Sequence, residues 1–530
     1  MKKSNILLIT TDQQRYDTIH GMGYDHMITP NLDLLVQEGC VFPNAYSPNP
    51  ACIPARHNII TGLNARYHGF DDNYFDENAK NIPFDLPTLP QLLSDNGYDT
   101  IAVGKMHFQP CRRHNGFAKM ELMEEIPRYL EDDDYAMYLR ENGFQEIQSI
   151  HGVRHLLYMM PQRSLLPSKY HGSSWVAERT IHHLKMHSKH RPFMIWSSFI
   201  APHPPFDVPD EWAQLYKDKK LPDTAVSQTP VSELALQSAG PANHPNENYL
   251  KRARELYFAS ISFVDYNIGK IIEQLKEMGE YDNTLIIFTS DHGEMLGDYG
   301  AYQKLLPYDA SARIPFIIRY PDKLSPGTID ERFVDLNDLL PTILDIADIA
   351  YPSPERLPGE SIFSKNTKKD RTVQYIEYSH GNKRWVSLCS SPYKYNYYYG
   401  GGKEELFDLS SDEGEALNLL LRHPTPEHIK VKNELRKKLI EFEKTQGLKG
   451  CIEKDDFIVL EPYCRKNFRE NNPPRFTKYE DHKHMRLEDE ILKAIEREPI
   501  VHISEINTDF FENQGYLNIE ELKGKRMEVK

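Results

Sequence analysis

Cysteine is scarce in this chain. The six residues Cys40, Cys52, Cys111, Cys389, Cys451 and Cys464 are spread over 530 positions with no CxxC pair. That density neither requires nor suggests a disulfide framework, and it suits a reducing compartment. Long apolar runs are missing as well. No stretch approaches the roughly 18 residues that would span a bilayer, so no transmembrane helix is expected. The opening Lys2-Lys3-Ser4-Asn5-Ile6-Leu7-Leu8-Ile9 has the charge but not the apolar length or small-residue cleavage site of a secretory leader. It reads as a buried strand, and a cytoplasmic location is the expectation. Internal repeats and low-complexity tracts are absent. Positive charge is in deficit, 63 Lys+Arg against 78 Asp+Glu for a net charge of -15. That balance disfavours nucleic acid and anionic membranes as partners and, taken alone, argues against an anionic substrate.

What is present is a globular composition, 39% apolar and 11% aromatic. The length fits a large core with an appendage. Four short apolar runs end abruptly in polar residues. Asn5–Thr10 leads into Thr11-Asp12-Gln13-Gln14, and Thr100–Val103 into Gly104-Lys105-Met106-His107. Phe193–Ile200 leads into Ala201-Pro202-His203-Pro204-Pro205, and Leu285–Phe288 into Thr289-Ser290-Asp291-His292-Gly293-Glu294. Runs without alternation read as strands buried on both faces of a parallel sheet. Helical patterns separate them. The clearest is Leu256–Met278, with Ile261, Val264, Ile268, Ile271, Ile272 and Leu275 on one stripe and Gly279 as its stop. Another opens at Pro87-Thr88-Leu89 and closes near Asn96-Gly97. The expected fold is α/β, a large mostly parallel central sheet flanked by helices. Ligands bind such sheets at the carboxyl ends of the strands, where all four polar tails would converge.

The texture changes near residue 380. Trp385–Cys389, Tyr393–Tyr399 and Glu405–Leu409 predict a small antiparallel sheet, followed by a helix over Pro426–Thr445. The expected organisation is a catalytic domain over 1–375, a small antiparallel sheet subdomain over 376–450 and a C-terminal extension over 451–530 of unassigned role. In the extension Leu487–Ile495 reads as helical.

The segment Cys52-Ile53-Pro54-Ala55-Arg56-His57-Asn58-Ile59-Ile60-Thr61-Gly62 resembles the C-x-P-x-R…T-G signature of the sulfatases. Asp12-Gln13, the Gly104–His107 segment, Pro202–Pro205, Thr289–Glu294, Lys304, Arg313-Ile314-Pro315 and Asp338–Leu344 match further landmarks of that family in order, and the resemblance runs over roughly residues 4 to 445. It implies an alkaline phosphatase-like core and a sulfuric ester hydrolase. In the family the signature Cys is oxidised to formylglycine by a formylglycine-generating or anaerobic sulfatase-maturating enzyme, which would be a partner here. The hydrated aldehyde attacks sulfur, and its second hydroxyl then drives release of sulfate. A divalent metal lowers the pKa of the attacking hydroxyl and holds a sulfate oxygen.

By the same resemblance Asp12, Gln13, Asp291 and His292 would hold the metal together with residue 52. Arg56 would stabilise the diol and the ligand carboxylates, and Lys105 and Lys304 would contact sulfate oxygens. His107 would act as general base and His203, with Lys304, as general acid. Many family members carry Asp-Asp and Asp-Asn where this chain has Asp12-Gln13 and Asp291-His292. Ca²⁺ is the expected metal, with Mg²⁺, Mn²⁺ and Zn²⁺ as alternatives for this less purely oxygen-based set. The expected substrate is a small sulfated sugar or short glycosaminoglycan-derived saccharide. Substrate contacts are expected from His68, Asp71, Asp72 and Asn73 and from Arg112, Arg113 and His114. The alternatives are a phosphonate monoester or phosphodiester hydrolase, a choline or aryl sulfatase, and a non-catalytic glycan-binding relative. The expected site gathers Arg56, Lys105, His107, His203, Lys304 and a cation against Asp12 and Asp291, an electropositive pocket inside an acidic protein.

Overall fold

The computed structural model describes residues 3–73, 81–127, 129–153, 161–231, 247–364, 371–421 and 423–463, with 490, 493–494 and 497–498 beyond them. The core is an eight-stranded sheet. Asn5–Asp12 lies at its centre, parallel to Thr284–Ser290 on one side and to Phe193–Pro202 on the other. Asp99–Gly104 and then Lys119–Leu122 continue in parallel beyond Phe193–Pro202. Phe316–Arg319 runs antiparallel to Thr284–Ser290 and joins Cys40–Val41 and Thr328–Ile329 at the other edge. The mostly parallel α/β sheet is therefore as expected.

The unbroken apolar runs follow from helices on both faces. Ile6, Leu8, Ala102, Met194, Trp196, Leu285 and Ile287 point into one core with Ile53, Ile59 and Ile60 of the Cys52–Thr61 helix. Leu7, Ile9, Ile101, Val103, Ile195, Ile286 and Phe288 point into the other. There they meet Val264, Ile268, Ile271, Ile272 and Leu275 of the Glu247–Glu277 helix and Trp175 and Val176 of Gly172–Met186. Each such aliphatic or aromatic side chain contributes roughly 1.5–3 kcal/mol by leaving water. The long helix starts nine residues before the expected Leu256. The apolar stripe breaks off there because Arg252, Arg254 and Glu255 are buried through polar partners instead. Arg254, for example, donates to the carbonyls of Leu296 and Pro222 at 3.0 and 2.7 Å.

The second sheet has four antiparallel strands, Val373–Tyr378, Trp385–Ser390, Tyr393–Tyr398 and Lys403–Asp408. Its first strand was not anticipated, and it spans the 375/376 boundary read from the sequence. Tyr375, Val386, Leu388, Tyr395 and Tyr397 pack under Leu435, Leu439 and Ile440 of the Pro426–Thr445 helix. The opposite face, with Ile376, Tyr378, Trp385 and Tyr398, lies against Tyr46, Ala51 and Ala312. The small sheet thus backs the residue immediately before Cys52, and Trp385 Nε1 donates to the carbonyl of Leu305 at 2.9 Å, next to Lys304.

The helix expected over 487–495 falls largely outside the described residues, of which Glu490, Lys493 and Ala494 are helical. Glu490 accepts hydrogen bonds from the backbone N–H groups of Gln148 (2.6 Å) and Ser149 (3.1 Å), and Glu498 pairs with Arg252 at 2.8 Å. No helix among the described residues is long and apolar enough to cross a membrane.

Candidate active site

Sheet register sets the site. Asp12 pairs with Pro202 and Thr11 with Ser290, so the polar residues after three strands emerge level with one another. Gly104 supplies the fourth. Its φ is +94°, and a Cβ there would lie 2.0 Å from the Ser198 carbonyl oxygen, so only glycine lets the chain turn Lys105 into the cluster. Cys52 opens a helix whose ten residues are all buried. Arg56 is one turn on, on the same face.

The sulfur of Cys52 lies 3.2 Å from His292 Nε2 and 3.8 Å from Asp12 Oδ1. Ligand atoms of Asp12, Cys52, Asp291 and His292 all fall within 4.8 Å of one another. Arg56 ties the carboxylates together, Nη2 at 3.1 Å from Asp12 Oδ2 and Nε at 3.1 Å from Asp291 Oδ2, and also donates to Ser198 Oγ at 2.9 Å. Lys105 Nζ sits 2.6 Å from Asp12 Oδ2. Gln13 is held by its backbone N–H on Asp291 Oδ1 at 3.1 Å. Its side chain accepts from Lys304 Nζ at 2.5 Å and donates to Glu294. His203 and Lys304 are 4% exposed and His107 8%, and the charges of Lys105 and Asp12 act on both histidines.

Three carboxylates were missed. Glu124 accepts from the backbone N–H groups of Met106 (3.0 Å) and His107 (2.9 Å), fixing a loop in which His107 has φ +56°. Glu125 contacts both Lys105 (2.7 Å) and His203 (3.4 Å). Glu294 receives Gln13 and the backbone N–H of Leu296. A Glu-Glu pair just past the Lys119–Leu122 strand was the available signal for the first two. They bring carboxylates into the expected electropositive pocket, where Asp12, Asp291, Glu124, Glu125 and Glu294 stand among Arg56, Lys105 and Lys304. The donor set of two carboxylates, imidazole and residue 52 is one a divalent cation can use.

Burial would raise the Asp12 carboxyl, but Lys105, His203, Lys304 and Arg56 together hold it well below the usual carboxylate range. Asp291 is pushed up by burial and by Asp12. Glu124 and Glu294 are pushed up chiefly by burial. Burial likewise depresses His107, His203 and His292. Burial and the Asp12 charge push the Cys52 thiol up to about 12.

Most of the outer candidates bond or pack outside the Asp12–Cys52–Asp291–His292 cluster, whereas Asn73 reaches the residue after Cys52. His68 is fully buried and shares a ring cluster with His57 and Phe70, the His68–His57 centroids being 5.9 Å apart. Asp72 is committed to Tyr378 Oη (2.7 Å), Ser379 Oγ (2.8 Å) and Lys383 Nζ (2.9 Å) in the small sheet and the turn after it. Asp71 accepts from His380 Nδ1 at 3.1 Å, and Asn73 accepts from the Ile53 backbone N–H at 3.0 Å. Arg112 is bound at 2.8 Å to Asp134. Arg113 is half-buried, and its charge helps depress His57, whose burial is the larger cause.

Residues 4–349 match the family model described as Sulfatase, and residues 297–445 match that described as N-sulphoglucosamine sulphohydrolase, C-terminal. An arylsulfatase of Clostridium perfringens is 31% identical over 83% of this chain and 94% of its own length. An N-acetylglucosamine-6-O-sulfatase of Bacteroides thetaiotaomicron is 25% identical over 84% of this chain and 87% of its own. The solved phosphonate monoester hydrolase of Agrobacterium radiobacter superposes with a TM-score of 0.71 at 22% identity, covering 87% of this chain and 100% of that one, a likeness of fold.

Proposed function

We propose, from the premise that this chain belongs to the sulfatase family and is a sulfuric ester hydrolase, that its substrate is a small sulfated sugar and that residue 52 works as formylglycine beside a divalent metal. The observation that carries this reading is the meeting of Cys52 with Asp12, Asp291 and His292 within 4.8 Å. The metal would be held by Asp12, Asp291, His292 and residue 52, with Ca²⁺ first in expectation. Gln13 could join only by sharing its oxygen with Lys304, which already donates to it. Formylglycine would supply the nucleophilic oxygen and the metal would acidify it and neutralise sulfate charge.

The chain's own groups do the rest. Arg56 donates to both ligand carboxylates and aims them at one point. Lys105 and Lys304 bring two ammonium groups to the sulfate oxygens, where negative charge shifts as sulfur is attacked. His107 takes a proton from residue 52, and His203 gives one to the leaving oxygen. A maturating enzyme would have to act on Cys52 before its helix is sealed, since the residue is 1% exposed.

A sugar substrate draws support from the name of the Bacteroides relative and from the C-terminal family model. Release of sulfate from a panel of position-defined sulfated mono- and disaccharides tests it. The second reading, phosphonate monoester hydrolysis, is favoured by the Agrobacterium fold match together with the Asp12-Gln13 and Asp291-His292 pairs. A kcat/KM for phenyl phosphonate far above those for aryl and sugar sulfates would establish it in place of the first.

A further inference from the structure

Glu125 has no part in the reading above, yet it stands between two groups that reading assigns to the substrate. Its Oε2 is 2.7 Å from Lys105 Nζ and 3.4 Å from His203 Nε2, and its side chain is 7% exposed. The other ring nitrogen of His203, Nδ1, is 2.6 Å from the carbonyl oxygen of Pro204. A carbonyl oxygen only accepts, so Nδ1 carries a hydrogen. A neutral imidazole would then turn the lone pair of Nε2 toward a carboxylate. Only the imidazolium meets Glu125 with an N–H.

The surroundings divide in the same way. Burial opposes a positive ring most strongly, Lys304 and Lys105 oppose it too, and on balance the resting ring is held well below the usual histidine range. Glu125 is the leading group in its favour, ahead of Asp12. Lys105 in turn is gripped from two sides, by Glu125 and by Asp12 at 2.6 Å. One carboxylate therefore both favours a proton on His203 and directs Lys105.

We propose that Glu125 is a positioning residue for sulfate ester hydrolysis, orienting the His203 ring and favouring the proton that Nε2 passes from Glu125 toward the leaving oxygen, and holding Lys105 in register with Asp12. The inference rests on the sulfatase reading of the site. In the step it serves, a sulfur–oxygen bond forms to the nucleophile while the bond from sulfur to the bridging oxygen breaks. The bridging oxygen takes the Nε2 proton and leaves as the alcohol, and the ring is left neutral with its Nδ1–H still on Pro204. A sugar alkoxide is strongly basic and needs that proton, whereas a nitrophenolate leaves with little help, so the two ester types report on Glu125 differently.

The experiment compares matured, metal-loaded, full-length wild type with Glu125→Gln and Glu125→Asp. The substrates are 4-nitrophenyl sulfate and the sugar sulfate that wild type turns over fastest. Glu125→Gln is expected to lower kcat on the sugar sulfate by about 100-fold. The loss on 4-nitrophenyl sulfate is expected to be at least about tenfold smaller. The basic limb of the sugar-sulfate kcat profile should move to lower pH, and Glu125→Asp should recover part of the rate. Equal losses on both esters, or a rise in KM on both with kcat unchanged, would overturn the inference. If Glu125→Gln shows no cooperative melt, the same comparison in Glu125→Asp decides, with selective loss supporting the inference and equal loss overturning it. A wild type that releases no sulfate from any ester overturns the sulfatase reading, and this inference with it.

Discussion

Arg56 and Asp12 are both fully buried and meet at 3.1 Å, Nη2 to Oδ2. The same guanidinium reaches Asp291 at 3.1 Å, so a single side chain binds the two carboxylates offered to a cation. Removing one partner of a buried pair leaves the other uncompensated, at a cost of about 3–5 kcal/mol. Arg56→Ala is therefore expected to lose about that much in urea unfolding of the full chain, and sulfate release with it. Unfolding within about 0.5 kcal/mol of wild type would show that the pair does not hold the site.

Chelation should expose the need for a cation. Asp12 and Asp291 share one small cluster with Cys52 and His292, so exhaustive treatment with a chelator should abolish activity and lower the melting temperature. Readdition at about a hundredfold excess over Kd should restore about 2.7 kcal/mol. Ca²⁺, Mg²⁺, Mn²⁺ and Zn²⁺ added singly would rank the metals. Full activity after verified removal of all metal would defeat the assignment.

Asp72 illustrates why a polar loop is hard to read. The sequence around it suggested a hand reaching for substrate, but its three partners lie in the small sheet and the turn after it, some 306 to 311 positions away. Asp72→Ala is expected to cost about 2 kcal/mol of stability through the lost hydrogen bonds to Tyr378, Ser379 and Lys383, with KM for small sulfate esters unchanged. A large rise in KM without loss of stability would return Asp72 to the substrate pocket.

The same contrast runs through the whole molecule. Asp12, Lys105, His203 and Asp291 were legible because each follows an apolar run, and the carboxyl ends of parallel strands must share one edge. Cys52 and Arg56 were legible from one turn of helix. Glu124 and Glu125 were not, because their strand, Lys119–Leu122, is short and half-exposed and has no apolar run to announce it. His68 looks polar in sequence but is packed against His57 and Phe70, and burial depresses it well below the usual histidine range. Local pattern reports which edge a strand delivers, and says little about a side chain whose environment is made by distant chain.

Acid stability should carry the mark of Glu121. Burial would raise its carboxyl, but hydrogen bonds from His183 (2.9 Å) and Arg179 (3.0 Å) hold it down at about 2, against 4.5 for a free side chain. A depressed folded-state value means the contribution is complete above pH 4.5 and is lost as pH falls from there toward 2. Glu121→Gln should therefore flatten the fall in unfolding free energy across that window and leave the slope above pH 5 unaltered. An unchanged acid limb would mean that Glu121 titrates alike in the folded and unfolded chain.

Cys52 provides the separation between enzyme and binding protein. Its side chain is fully enclosed, so truncation to Ala removes one sulfur from a packed helix end and should cost no more than about 1–3 kcal/mol. Sulfate release should nonetheless fall to background, because alanine at position 52 has no thiol from which the aldehyde could be made. Mass spectrometry of the peptide spanning Cys52, taken from wild type co-expressed with a maturating enzyme, should find the aldehyde or its hydrate. A persistent thiol in protein that binds sulfated sugars without cleaving them would identify a binding protein on a sulfatase scaffold. A thiol in protein that still releases sulfate would mean that residue 52 is not the nucleophile, and the search would move to a water held by the same carboxylates.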